Sequence, residues 1–388
     1  MYVAVLPESA AGERRVALVP EGVAAVVRAG HRVGVAAGAG AGAGLADAAY
    51  REAGAEVVER PEDLLARADV AVAVRLPAPE LVAKMRPGSV LVGVLQPVAQ
   101  AERIAALARS GVDAYSLDAL PRITRAQGMD VLSSMSTVAG YRAVVLAAEL
   151  SGKFFPLLMT AAGTVAPARV LVLGAGVAGL MAVATARRLG AVVQAFDARP
   201  AVREQVESLG ASFLSMPDLV LEGAGGYARA AAQEEEARER EILRQPVAAA
   251  DVVITTAMVP GAPAPRLIDA SAVDAMRPQS VIVDLAAEAG GNCERTVPGE
   301  RVRTEGGVIV VGDTDLVSQM ALPASQLFSR NLVAYLQHLW GQGLADGPDG
   351  RTQPPRGEDE IVAATRITAG GEVVHAATRE RLAAAAAR

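Results

Sequence analysis

Cysteine is almost absent: Cys293 is the single thiol in 388 residues. One cysteine excludes an internal disulfide and a metal centre built from several thiolates, and it suits a reducing, cytoplasmic setting. No metal is expected. Lysine is limited to Lys84 and Lys153, and histidine to His31, His338 and His375, so candidates for a titrating general base are few. Aromatic residues make up 3% of the chain, no basic patch is interleaved with them, and the net charge is −6. Those three features disfavour a nucleic-acid partner. Long hydrophobic runs are also missing. The longest uncharged stretch, residues 170–186, falls short of the roughly 20 apolar residues that a membrane span needs. The N-terminus reaches Pro7 and Glu8 without a basic segment, unlike a signal peptide. No direct membrane insertion is expected.

What is present is apolar residue, 52% of the chain, enough for two ordinary domains with their own cores. Short apolar runs alternate with helical patterns. Strands are expected at residues 2–6, 32–37, 56–58, 70–74 and 89–94, and again at 170–173, 192–196, 252–255, 281–284 and 308–311. Such alternation predicts parallel sheets of the α/β class. A long, mostly apolar helix at 133–150 could carry the chain from one domain to the next, and another near 324–339 could return it. Residues 360–374 resemble two strands around Ala369-Gly-Gly371, ahead of an alanine-rich helical tail. The expectation is two Rossmann-like domains with mostly parallel sheets and a cleft between them. The first is discontinuous, comprising 1–132 plus 322–388, and the second spans 133–321.

One motif carries chemistry by itself. The apolar strand at 170–173 runs into Gly174-Ala-Gly176-Val-Ala-Gly179, and a helical pattern follows. The first glycine permits the tight turn, the second lets backbone approach a pyrophosphate, and the third lets helix pack on strand. Phosphates then meet the free N–H groups of the helix N-terminus. A second strand ends in Asp197, 18 residues after Gly179, close to the roughly 20 at which an acid receives the adenosine ribose hydroxyls. A carboxylate there repels a 2′-phosphate and favours NAD over NADP, with Arg199 close enough to modify that preference. Without a ligand, the same residues would make a glycine-tight strand–helix corner. A glycine-rich stretch, residues 219–227, is followed by a charged run at 233–241. It is either a surface loop with a solvated helix, or a lid over the cofactor or a contact for a partner.

From Gly174 onward the residues become more specific. Gly174-Ala-Gly-Val-Ala-Gly-Leu180, Phe196-Asp-Ala-Arg-Pro200, Gly225-Gly-Tyr227, Thr255-Thr-Ala257 and Gly290-Gly-Asn-Cys293, together with Gly12-Glu-Arg-Arg-Val-Ala-Leu-Val-Pro20, resemble the alanine dehydrogenase and nicotinamide nucleotide transhydrogenase superfamily. The likeness spans nearly the whole chain. It implies NAD(H) contacts from Gly174, Gly176, Val177, Gly179, Asp197, Arg199, Tyr227, Thr255, Thr256 and Ala257, with Tyr227 on a mobile loop that closes over the cofactor.

The two branches differ in chemistry. Alanine dehydrogenases carry a catalytic lysine and a catalytic histidine where this chain has Arg75, in Val74-Arg-Leu-Pro77, and Gln96, in Leu95-Gln-Pro97. Oxidising an amine or alcohol normally needs a base to take the N–H or O–H proton. Arg75 stays protonated, Gln96 takes up no proton, and Arg15, which resembles the substrate-carboxylate arginine, cannot restore the reaction alone. Transhydrogenation moves a hydride from one nicotinamide to another and needs orientation of both rings rather than acid–base catalysis.

Pro121-Arg-Ile-Thr-Arg-Ala-Gln-Gly-Met-Asp-Val-Leu-Ser-Ser134 is similar to the nicotinamide loop of the transhydrogenase branch. The resemblance implies that Arg122, Gln127, Asp130 and Ser133 hold the dihydronicotinamide and its ribose, with the nicotinamide facing this loop. The bland reading is that Asp130 or Ser133 caps the helix ahead.

The resemblance further implies a homodimer that docks on membrane-spanning subunits, at the inner face of the cell membrane. There it would meet an NADP(H)-binding domain of another chain, and proton translocation would occur in those partners. Ending at Arg388 without membrane helices, the chain resembles the split form of the alpha subunit. The main rival is an alanine dehydrogenase-like NAD-dependent amino-acid dehydrogenase. A non-enzymatic NAD-binding regulator is the third reading, against which the full Arg-Gln-Asp-Ser set argues.

Overall fold

The computed structural model describes residues 1–215, 233–259, 263–347, 352–355 and 358–386. The chain divides into two compact units, Met1–Met135 with Ser318–Arg388, and Ser136–Val317.

The first unit is built on an eight-stranded sheet. Its spatial order is Glu372–Val373, Arg366–Ala369, Asp113–Ser116, Val90–Val94, Val70–Arg75, Tyr2–Val5, Arg32–Ala36 and Glu56–Val58. The six strands from the N-terminal part of the chain pair in parallel. The two from the C-terminal part add antiparallel at one edge, which makes this unit discontinuous. The central strands Tyr2–Val5 and Val70–Arg75 are buried almost throughout, as expected for parallel strands covered on both faces. Residues 360–365 depart from the expected strand and form a short helix, Glu360–Thr365. The Asp359 carboxylate accepts the N–H groups of Ile361 at 2.9 Å and Val362 at 3.1 Å. This cap outweighs the β-preference of Ile361 and Val362.

The second unit carries a seven-stranded sheet ordered Ser212–Leu214, Val192–Phe196, Arg169–Leu173, Val252–Thr255, Val281–Asp284, Ile309–Val311 and Arg301–Arg303. All pairings are parallel except that of the last strand. Successive strands step outward in one direction from Arg169–Leu173 and then in the other. That reversal makes this strand the topological switch point, where open α/β sheets bind their ligands.

The helix Val131–Leu150 is long and apolar enough, by length and composition, to cross a membrane. Its Ala143, Val144, Leu146 and Ala147 are instead buried in the second unit's core, with Val170, Val172 and Val183. A Cβ built on Gly140 would come within 2.1 Å of the Ala178 carbonyl oxygen, so this helix presses directly on the first turn of the helix Val177–Arg188. One face of the helix thus packs into the core, while Leu132 and Tyr141 are exposed.

Candidate functional site

The glycine turn sits at the switch point. Arg169–Leu173 ends in Gly174, whose φ of +95° favours glycine. Gly176 then caps the helix Val177–Arg188. The three glycines are needed for different reasons. A Cβ on Gly179 would lie 1.8 Å from the Gly174 carbonyl oxygen, and one on Gly174 would lie 2.6 Å from Thr256 Oγ1 and 3.0 Å from the Ala257 nitrogen. Those two positions are closed by the protein itself. At Gly176 a Cβ would meet nothing within 4 Å, so its missing side chain keeps open a space that faces outward from the turn. Val177, the first residue of the helix, is exposed. The amides of this first turn have no acceptors within the helix. Open backbone plus free N–H groups is the arrangement that a pyrophosphate requires.

Asp197 follows the strand Val192–Phe196 and is built into this turn. Its Oδ2 accepts the Ala175 N–H at 2.7 Å. Oδ1 accepts the Arg199 N–H at 2.9 Å, and the guanidinium grips both oxygens, Nε and Nη2 each at 2.8 Å. The acid thereby fixes the turn and pairs with the neighbouring Arg199.

Thr255, Thr256 and Ala257 form the neighbouring wall, at the end of Val252–Thr255. Thr255 is fully buried, its hydroxyl donating to Asp284 Oδ1 at 2.8 Å. Thr256 donates to the Gly174 carbonyl at 3.0 Å. Both hydroxyl protons are engaged inside the protein. Tyr227 and residues 223–227 lie outside the described residues.

The nicotinamide-type loop belongs to the first unit. Arg122 and Gln127 are exposed, Gln127 on the turn Thr124–Met129, while Asp130 and Ser133 are half-buried. Asp130 caps the helix Val131–Leu150: its Oδ1 accepts the Ser133 N–H at 2.9 Å and its Oδ2 the Ser133 hydroxyl at 2.5 Å. The helix-cap reading of these two residues is thus realised. The loop is tied from behind by Asn331 of the helix Ala321–Gly341, which donates to the Gly128 carbonyl at 2.9 Å.

Arg15 and Arg75 meet at an acid that the sequence did not single out. Glu13 is buried and accepts Arg15 through both oxygens, Nε at 2.7 Å and Nη2 at 2.5 Å. It also accepts Arg75 Nε at 2.9 Å and the Ser318 hydroxyl at 2.9 Å. Burial alone would raise its pKa, but the hydrogen bonds and charge of Arg15, aided by Arg75, hold it at about 2. Glu8 fixes the adjoining backbone, accepting the N–H groups of Val74 at 2.6 Å and Arg75 at 3.1 Å. Gln96 is exposed and adopts a left-handed φ of +49°.

Cys293 is buried, and burial pushes its thiol up to about 11, so it is no nucleophile at neutral pH.

The family models separate along the chain much as these features do. Residues 4–139 match the N-terminal domain, and residues 143–376 the C-terminal domain, of alanine dehydrogenase/PNT. The chain belongs to the alanine dehydrogenase/PNT family. Among this family's members it is 44% identical to an NAD(P) transhydrogenase alpha-subunit polypeptide of Rhodospirillum rubrum, over 97% of this chain and 98% of that one. The solved structure of transhydrogenase from Sinorhizobium meliloti superposes with a TM-score of 0.84 at 40% identity, covering 97% of this chain and all of that one. An L-alanine dehydrogenase structure superposes with a TM-score of 0.81 at 29% identity, covering 99% of each. The family thus holds both branches, and membership implies that the chain binds NAD(H).

Two further residues behind the Thr255–Ala257 segment were given no role of their own in the sequence, Asn292, within the quoted Gly290-Gly-Asn-Cys293, and Asp284. The available signals were a buried apolar strand ending in an acid, Val281-Ile-Val-Asp284, and an asparagine just after the glycine pair Gly290-Gly291.

Proposed function

We propose that this chain is the NAD(H)-binding subunit of a proton-translocating NAD(P) transhydrogenase. It holds NADH while hydride passes directly to NADP+ on a partner subunit, giving NAD+ and NADPH. Proton translocation belongs to membrane-spanning subunits on which a homodimer of this chain docks, peripherally, at the inner face of the cell membrane.

One observation carries the choice of branch. The dinucleotide turn is intact, whereas the two arginines at the amino-acid-substrate positions are locked onto Glu13. Arg15 and Arg75 share that one buried carboxylate, and neither arginine accepts a proton near neutral pH. At these two positions there is therefore neither an open carboxylate receptor nor a base. Hydride exchange between two nicotinamides needs neither, only positioning.

The bound dinucleotide supplies the hydride, and the residues of this chain hold and orient it. The turn amides receive the pyrophosphate, Asp197 receives the adenosine ribose, and the backbone of Thr255–Ala257 lines the remainder, with Tyr227 as a further contact. Arg122 and Gln127 donate to the carboxamide. Asp130 and Ser133 support them by fixing the helix start.

Isotope transfer tests this reading. NADH dideuterated at C4, mixed with this chain and a transhydrogenase NADP(H)-binding component, is expected to place one deuterium in NADPH. Deuterium lost to water would refute direct transfer.

A further inference from the structure

The wall of the nucleotide site is held by two buried polar side chains that lie outside the glycine motif. Asn292 is fully buried and uses its whole amide. Its Oδ1 accepts the Ala257 N–H at 3.1 Å, and its Nδ2 donates to the Ala257 carbonyl at 2.9 Å and the Pro265 carbonyl at 2.8 Å. Ala257 is thereby clamped at both its backbone groups. It is also the residue whose nitrogen would lie 3.0 Å from a Cβ on Gly174. Asn292 thus sets how closely the wall abuts the turn.

Asp284 secures the segments on either side. Fully buried, it accepts four hydrogen bonds: from Thr255 Oγ1 at 2.8 Å, Thr296 Oγ1 at 2.7 Å, the Ala286 N–H at 3.0 Å and the Cys293 N–H at 3.1 Å. Thr255 and Asp284 are register partners on adjacent strands, so this link is made at the ends of the strands, where ligands bind. Gly291, at φ +81°, lets the chain pass so close that a Cβ there would lie 2.8 Å from Asp284 Oδ2. A fully satisfied buried network of this kind fixes a position far more sharply than apolar packing does.

The sheet order says which half of the ligand this wall serves. Asp197 follows Val192–Phe196 on one side of Arg169–Leu173, and Thr255–Ala257 follows Val252–Thr255 on the other. A dinucleotide bound at the switch point straddles the central strand, one half to each side. With the adenosine ribose on the Asp197 side, the Ala257 side takes the nicotinamide half.

Building on the NAD(H)-binding reading, we infer that Asn292 is a positioning residue for the nicotinamide half of the dinucleotide. It acts through the Ala257 backbone, with Asp284 fixing the flanking segments. It touches no ligand atom itself, being enclosed by protein.

The test compares NADH with AMP, which occupies the adenosine half alone. Asn292→Ala leaves the Ala257 N–H and carbonyl unpartnered, a change that corresponds to a roughly tenfold loss. The expected result is NADH binding weakened by about that factor, with AMP binding unchanged to within about twofold. A residue that merely supported the fold would weaken both ligands together. Thr255→Val, isosteric and lacking only the hydroxyl donated to Asp284, provides the same comparison should Asn292→Ala fail to fold. Its expected effect is smaller and equally confined to NADH. Equal losses for NADH and AMP, or no loss for either, would overturn the inference. A wild-type chain that bound neither would overturn the NAD(H) reading on which it rests.

Discussion

The Asp197 carboxylate accepts the Ala175 N–H at 2.7 Å, so the acid ending the second strand is part of the glycine turn itself. The same carboxylate is clasped by Arg199 through Nε and Nη2. On the proposed NAD(H) reading, selectivity against NADP(H) would rest on this pair rather than on one charge. Replacing Asp197 by Ser removes this carboxylate from Arg199, whose guanidinium matches a phosphate well. Asp197→Ser is expected to weaken NADH and strengthen NADPH, shifting their ratio by roughly tenfold or more. Titration of both nucleotides checks this, and an unchanged ratio would assign selectivity elsewhere.

Gly176 and Gly179 are expected to respond differently to the same substitution. Around Gly176 a methyl group finds open space, whereas at Gly179 it would lie 1.8 Å from the Gly174 carbonyl oxygen. Gly176→Ala should leave folding stability within about 0.5 kcal/mol of wild type and lower NADH affinity on the order of tenfold or more, by filling the pyrophosphate approach. Gly179→Ala should destabilise the unit outright. Thermal unfolding beside NADH titration separates the two. Full NADH affinity in Gly176→Ala would mean that phosphate does not lie there.

Glu13 neutralises two arginines, and its loss strands a buried one. Arg15 is 8% exposed against 37% for Arg75. Glu13→Ala is expected to cost about 3–5 kcal/mol, the usual penalty for leaving a buried charge unpaired. Arg75→Ala should cost about 1 kcal/mol or less, since its side chain is partly solvated. Denaturant unfolding of both variants measures the difference, and equal costs would contradict the clamp.

Two carboxyls give stability a particular pH dependence. Burial pushes Glu8 up to about 7, with Glu13 adding to the rise and the Val74 and Arg75 amides opposing it. Burial likewise raises Glu239 to about 7, helped by Glu236 and Glu235. A raised folded-state pKa means that the native state binds more protons than the unfolded state. These groups therefore favour folding fully below about 4.5 and lose that contribution as pH rises to about 7. Glu8→Gln and Glu239→Gln should each flatten the fall in unfolding free energy between about pH 5 and pH 8. An unaltered slope in both would assign it to other groups.

The sequence was readable where chemistry is local. The glycine turn, the Asp197 position and the Asp130–Ser133 cap each lie within one strand–turn–helix unit, where spacing alone dictates geometry. Glu13, Asp284 and Asn292 were opaque because their meaning comes from partners far along the chain: Arg75 for Glu13, Thr255 for Asp284, Ala257 for Asn292. The same holds for Glu360–Thr365. Its apolar, β-branched residues read as strand, and the Asp359 cap, itself held by His338 at 2.9 Å, turned them to helix. Thr255 and Thr256 are a subtler case. Their quoted motif stands beside the glycine turn, but that their hydroxyls face inward to Asp284 and Gly174 was not legible.

On the proposed function, this chain is one half of a two-nucleotide reaction centre, and Arg122 and Gln127 align its nicotinamide. Single-turnover reduction of NADP+ by NADH, after mixing this chain with a transhydrogenase NADP(H)-binding component, tests it most directly. Rapid transfer is expected of the wild type. For Arg122→Ala and Gln127→Ala transfer is expected to slow on the order of tenfold or more, with NADH affinity within about threefold of wild type, the pattern of lost orientation rather than lost binding. No transfer by wild type, with alanine-dependent reduction of NAD+ in its place, would contradict it.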